Sequence, residues 1–173
     1  VEKYGPKDTD MTSQLNKIKA AGADTVIIYG IADGAAQVLR SMEKINYMPI
    51  TLGTWGNLSS LLPKMAGAKL SEHLIMAAST TEDTSAKTKA LGQRVRVHFP
   101  TLTTFPCSAQ AYDSVMLLAA AMKQANSTDG EKVAAALENL NSTEGVIKTY
   151  NKPFTKTNHE GLSVSDFYLA RWE

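Results

Sequence analysis

The sequence predicts an α/β fold built on a mainly parallel sheet. Three observations predict it. Short runs rich in β-branched and aliphatic residues alternate with segments whose apolar residues recur at helical spacing. Gly22, Gly30, Asn46, Pro49 and Pro100 fall at the junctions between the two kinds of run. A chain of 173 residues, 43% hydrophobic and 20% charged, can bury a core without cross-links. Strands that alternate with helices imply βαβ units, hence a parallel sheet covered by helices on both faces.

The elements follow in order. Asp10 is placed as an N-cap, and Met11, Leu15 and Ile18 keep helical spacing until Gly22. Asp24 to Tyr29 reads as a buried strand bounded by Gly30. Ala35, Val38, Leu39, Met42 and Ile45 define a second helix, closed by Asn46 and Pro49. Ile50 to Gly53 is a short strand, Leu58, Leu61, Leu62 and Met65 mark another helix, and Leu74 to Ala78 is the next strand. The polar stretch from Ser79 to Ser85 is the best boundary between two lobes. Beyond it, Thr84 to Phe99 reads as a helix ended by Pro100, and Thr101 to Pro106 as a loop. Ser108 to Ala125 is the strongest helix, with Ala111, Val115, Leu118, Ala119 and Met122 on one face. Asp129 caps a shorter helix through Leu140, and Val164 to Leu169 alternates like a strand.

Charge and composition exclude several classes. The net charge is +1 with both signs mixed along the chain, so there is no electrostatic footprint for nucleic acid and no basic run for a membrane surface. Cys107 is the single cysteine, which rules out an intramolecular disulfide. No apolar run approaches the roughly 18 residues of a membrane span. Val1-Glu2-Lys3-Tyr4 is neither a signal peptide nor a start methionine, and the chain reads as mature, trimmed or truncated.

Catalytic constellations are lacking. His73, His98 and His159 lie far apart in sequence and make no metal-ligand spacing with one another or with Cys107. There is no nucleophile elbow and no phosphate-cradling loop with lysine. Ser41-Met42-Glu43-Lys44 matches Ser-x-x-Lys, but it sits on an ordinary helix whose last turn favours a lysine on dipole grounds. No metal and no organic cofactor is implied.

Two strand-to-helix loops stand out, because open α/β folds bind ligands beyond the carboxyl ends of their strands. Gly30-Ile31-Ala32-Asp33-Gly34 is either a plain turn with Asp33 capping the helix, or a helix start whose amides face a bound carboxylate. Thr54-Trp55-Gly56-Asn57 carries a tryptophan that a turn does not require; it is either a core plug or a pocket wall. Asn57 reads as an N-cap, and Phe105 is a weaker pocket candidate in the loop before the longest helix. Asn57, Asn126 and Asn141 each begin an Asn-x-Ser/Thr sequon.

Asp10-Met11-Thr12-Ser13-Gln14-Leu15, Lys19-Ala20-Ala21-Gly22-Ala23-Asp24-Thr25-Val26, Leu52-Gly53-Thr54-Trp55-Gly56 and Ala109-Gln110-Ala111-Tyr112-Asp113, in that order, resemble the branched-chain amino-acid-type solute-binding proteins of ABC importers. The resemblance covers nearly the whole chain. It implies a type I periplasmic-binding-protein fold, with three-layer αβα Rossmann-like lobes joined by crossover strands and closed over a ligand in the cleft between them. It places residues 1–77 in the latter part of the second lobe, 78–151 in the returning part of the first lobe, and 152–173 in the last crossover and terminal strands, so the fold is expected to be incomplete. The site residues it implies are Ile31, Ala32 and Asp33, then Thr54, Trp55 and Gly56, with Phe105 from the first lobe. Family members that bind α-amino acids often carry an acidic residue where Trp55 stands. That departure points to an aromatic or apolar carboxylate, while Asp33 keeps an amino acid open.

The resemblance implies an extracytoplasmic, periplasmic solute-binding component of an ABC importer. Its partners would be a small-molecule ligand and the permease, and a broken lobe is expected to self-associate. A receptor or sensor ectodomain of the same fold is the second reading, and an α/β enzyme using the same loops is the third.

Overall fold

A computed structural model describes residues 1–173. The chain divides into two compact units, Val1–Ala78 with Tyr168–Glu173, and Ser79–Phe167.

The first unit opens with α1 (Thr12–Ala20), β1 (Thr25–Ile28), α2 (Ala32–Lys44) and β2 (Ile50–Gly53). After α3 (Leu61–Ala66) and α4 (Ala68–Ser71) comes β3 (Leu74–Ala78). β1, β2 and β3 pair in parallel in that order, and the helices between them supply the crossovers that parallel pairing needs. A last strand of this sheet, Tyr168–Ala170, runs antiparallel to β3 and pairs Met76 with Ala170.

One face of the sheet is packed. Val26, Ile28, Leu74 and Met76 point into a core completed by Met11 and Leu15 before and on α1, by Leu39 and Met42 on α2, and by Leu62 on α3. Leu39, Met42, Leu62, Leu74 and Met76 are each 0% exposed. The other face corrects the expectation of a sheet covered on both sides. Ile27 is 70% exposed, Ile50 60% and Leu169 73%, and the register aligns Ile27 with Leu52, Leu52 with Ile75, and Ala77 with Leu169 along this open side. β1 therefore alternates between buried and exposed residues, where its unbroken apolar run had read as fully buried.

Local chemistry explains several boundaries. Asp10 does not cap α1: the cap position is Met11, and the Asp10 carboxylate accepts from the Thr12 amide at 2.8 Å. The same carboxylate meets Lys44 at 2.6 Å, and that hydrogen bond above all holds its pKa well below the usual range. Asn46 closes α2 with φ 49°, the left-handed conformation that asparagine tolerates.

The second unit is mainly helical. α5 (Ala86–His98) starts at Ser85, whose hydroxyl accepts from the Thr88 amide at 3.1 Å while the Ser85 amide donates to the Thr88 hydroxyl at 2.9 Å. α6 (Phe105–Ala125) begins three residues before the expected start, with Pro106 in its first turn, where a missing amide costs nothing. α7 (Gly130–Glu138) is capped by Asp129, which accepts from the Lys132 amide at 3.1 Å. A small antiparallel hairpin follows, β4 (Thr143–Glu144) with β5 (Thr149–Tyr150); the strand Tyr168–Ala170 is thus β6.

Two further expectations are corrected here. The inward face of α6 is Phe105, Ala109, Asp113, Leu117 and Ala121, whereas Val115 is 63% and Leu118 40% exposed. The outward face is apolar throughout while the inward one carries Asp113, so the hydrophobic pattern favours the wrong face. In the tail, Val164–Asp166 is a 3-10 turn instead of a strand. The Asp166 carboxylate accepts from the Ser163 amide at 2.7 Å and from Lys148 at 2.6 Å, local bonds that compete with a sheet ladder.

Candidate functional site

The two loops singled out in the sequence leave the carboxyl ends of β1 and β2, which are adjacent parallel strands with Ile28 opposite Gly53. The first loop turns at Gly30 and enters α2 through Ile31, whose extended backbone (φ −107°, ψ 172°) occupies the cap position. Asp33 is therefore inside the first turn of α2, where a carboxylate is favoured by the helix dipole, and it is not the cap. Ile31 is 67% exposed, Asp33 is exposed, and Ala32 is buried at 3%, leaving only its backbone to face a ligand.

The second loop makes a 3-10 turn over Trp55–Asn57. Trp55 is 42% exposed, so its ring is no core plug. Asn57 is 0% exposed and works as more than a cap. Its side-chain oxygen accepts from the Thr54 amide at 2.9 Å, and its side-chain nitrogen donates to the Gly30 carbonyl at 3.1 Å. The Thr54 hydroxyl donates to that carbonyl at 3.0 Å. Glycine at 53 keeps room for this knot, and the fit is close at 56 as well. A Cβ on Gly53 would stand 2.5 Å from Asn57 Oδ1, and one on Gly56 would stand 3.1 Å from the Gly30 oxygen. The structure thus brings Ile31, Thr54 and Gly56 together, with Ile31 within 3.6 Å of the Cβ position at Gly56.

A groove of about 970 Å³ borders the first loop, lined by Lys3, Tyr4, Tyr29, Ile31, Asp33 and Gln37 among others. Tyr4 lies against Gly30 and Gly34, and burial pushes its phenol pKa up. Neither Tyr4 nor the cross-loop role of Asn57 was legible in the sequence. Tyr4 precedes the first helix by eight residues, and nothing in its neighbourhood marks it.

Phe105 is placed differently from its expectation. It is the first residue of α6, 6% exposed, packed with Leu91 and Ala109 in the core of the second unit. Beside it, a depression of about 600 Å³ is lined by Phe99, Thr101, Thr103, Thr104, Cys107 and Ser108.

The remaining motifs resolve into structure. The Ser41 hydroxyl accepts from the Met11 amide at 3.0 Å while Lys44 pairs with Asp10, so Ser-x-x-Lys forms no couple. No group of three His, Cys, Asp or Glu side chains is arranged to hold a metal ion. No helix is long and apolar enough to cross a membrane. The sequon asparagine Asn57 is sealed inside the loop knot, whereas Asn126 and Asn141 are exposed.

These features are a mainly parallel sheet whose two adjacent strand-end loops carry apolar and polar side chains, the location where open α/β folds bind ligands. The periplasmic binding protein family model matches residues 1–173, and the chain belongs to that family, one of extracytoplasmic binding proteins and not of enzymes. Its fold is similar to that of a type 1 periplasmic binding protein from Bordetella pertussis, with 22% identity over 96% of this chain and a TM-score of 0.79. It is also similar to the leucine binding protein LivK from Thermotoga maritima (20% identity, 86% of this chain, TM-score 0.71) and to a fatty acid ABC transporter substrate-binding protein from Thermomonospora curvata (14%, 98%, 0.75). This chain spans 47%, 42% and 48% of those three chains, about half of each. No curated protein matches the sequence.

Proposed function

We propose that the chain is part of the solute-binding component of an ABC importer and takes up a small apolar or aromatic carboxylate, or an amino acid, on the platform formed by the two strand-end loops. The observation that carries this reading is the pair Ile31 and Trp55. Both large apolar side chains are left exposed on the two loops that leave adjacent strand ends, where a core residue would be buried. The absence of an acidic side chain at position 55 favours an aromatic or apolar acid, and Asp33, at the start of α2, supplies a carboxylate that could meet an ammonium. The open face of the first unit's sheet supports a second element of the reading: residues 1–77, 78–151 and 152–173 are parts of two lobes of a longer molecule, and the chain by itself self-associates. The permease partner and a periplasmic location follow from the importer reading. A receptor or sensor ectodomain is the alternative, and the exposed sequons at Asn126 and Asn141 leave room for glycosylation in that case.

Titration with sodium benzoate and with L-leucine, followed by tryptophan fluorescence, tests the site. The expected result is a saturable change with at least one of them, lost together with affinity in Trp55→Ala. Undiminished affinity in Trp55→Ala removes Trp55 from the site.

A further inference from the structure

We propose that Asn57 is a positioning residue that locks the two strand-end loops into one pre-set platform. This rests on the reading that those loops receive the ligand, and it deepens that reading by tracing their rigidity to one buried amide.

Both ends of the Asn57 amide are used, and they are used across different loops. The oxygen holds its own turn through the Thr54 amide at 2.9 Å. The nitrogen reaches across 27 residues of sequence to the Gly30 carbonyl at 3.1 Å. A turn needs only the first bond, so the second is the informative one. The Thr54 hydroxyl adds a third bond, at 3.0 Å, to the same carbonyl. Gly30 thus has both acceptor positions of its oxygen filled from the neighbouring loop, immediately before the exposed Ile31. Asn57 is 0% exposed, so no water stands ready to replace the lost partners. Glycines at 53 and 56 leave the room this arrangement needs. Aspartate keeps the acceptor and loses the donor, leucine loses both, and glutamine carries the same amide one methylene further out. A platform ordered before binding loses less conformational freedom when the ligand arrives, so Asn57 contributes to affinity without touching it.

The test uses the whole chain carrying Trp172→Phe, which leaves Trp55 as the sole tryptophan. Time-resolved fluorescence anisotropy of Trp55 is measured without ligand in this parent, in Asn57→Asp and in Asn57→Ala, together with affinity for sodium benzoate and L-leucine. The expected result is faster local depolarisation of Trp55 in both variants at unchanged helix content. The probe the parent binds is held about tenfold more weakly, mainly through faster dissociation. Unchanged Trp55 depolarisation overturns the proposal, and so does increased mobility with unchanged affinity. If Asn57→Ala fails to fold, Asn57→Asp and Thr54→Val, each removing one donor to Gly30, carry the same measurement. Failure of the underlying site reading looks different. In that case Trp55→Ala leaves affinity unaltered or neither probe binds the parent, and the anisotropy comparison still decides whether Asn57 locks the loops.

Discussion

On α6, the carboxylate of Asp113 is 1% exposed and accepts from the Val146 amide at 2.6 Å, the Ile147 amide at 3.0 Å and the Tyr150 hydroxyl at 3.0 Å. Burial, with this carboxylate beside it, pushes the Tyr150 phenol above its ordinary pKa. A buried charge is tolerated only when its hydrogen-bonding capacity is met, and here three donors meet it. Asp113→Ala takes the acceptor from all three donors and is expected to destabilise the second unit measurably in urea unfolding, a buried donor left unpaired costing about 1–3 kcal/mol. Asp113→Asn, which keeps an acceptor, costs less; equal stability of Asp113→Ala and wild type would contradict this role. The same residue explains why α6 was misread. A carboxylate on the inward face counts against that face in any hydrophobic pattern, so the stripe through Val115 and Leu118 looked like the core side. The placement of Ile31, Asp33 and Trp55 just beyond strand ends was legible because a strand end followed by a helix start is a local signature. Asn57 was not, since its partner Gly30 lies 27 positions away.

Among the elements, the sheet of the first unit shows most clearly what periodicity can and cannot establish. The alternation of strands and helices gave the parallel pairing of β1, β2 and β3, because each crossover is written in consecutive residues. It did not give the cover. The run from Thr25 to Tyr29 is apolar on both sides of the strand, the pattern of a strand buried twice, yet only Val26 and Ile28 are buried. Ile27, Ile50 and Leu169 stay exposed on this face, and exposed apolar surface of this kind favours association. Concentration-dependent oligomers are therefore expected by light scattering, and Ile27→Lys with Ile50→Lys is expected to shift them to monomer. The unfolding midpoint should hold, since exposed positions contribute within about 0.5 kcal/mol each. A wild-type chain that stays monodisperse at high concentration would contradict the expectation. The tail differs for another reason: the Asp166 carboxylate accepts from the Ser163 amide and from Lys148, and these bonds hold Val164–Asp166 in a turn.

For the molecule as a whole, two compact units and a family match over residues 1–173 frame the function, and the chain spans about half of the solved structures it resembles. Low identity to those structures carries the fold and leaves ligand choice to this chain's own residues. The central claim is that a small carboxylate or amino acid settles on the platform beyond β1 and β2. Backbone amide shifts recorded by NMR during titration with sodium benzoate and L-leucine test it most directly. The account predicts saturable shifts concentrated at Gly30 to Asp33 and Thr54 to Gly56, with the Trp55 indole among them. Saturable shifts confined to other residues, or none with either compound, would contradict it.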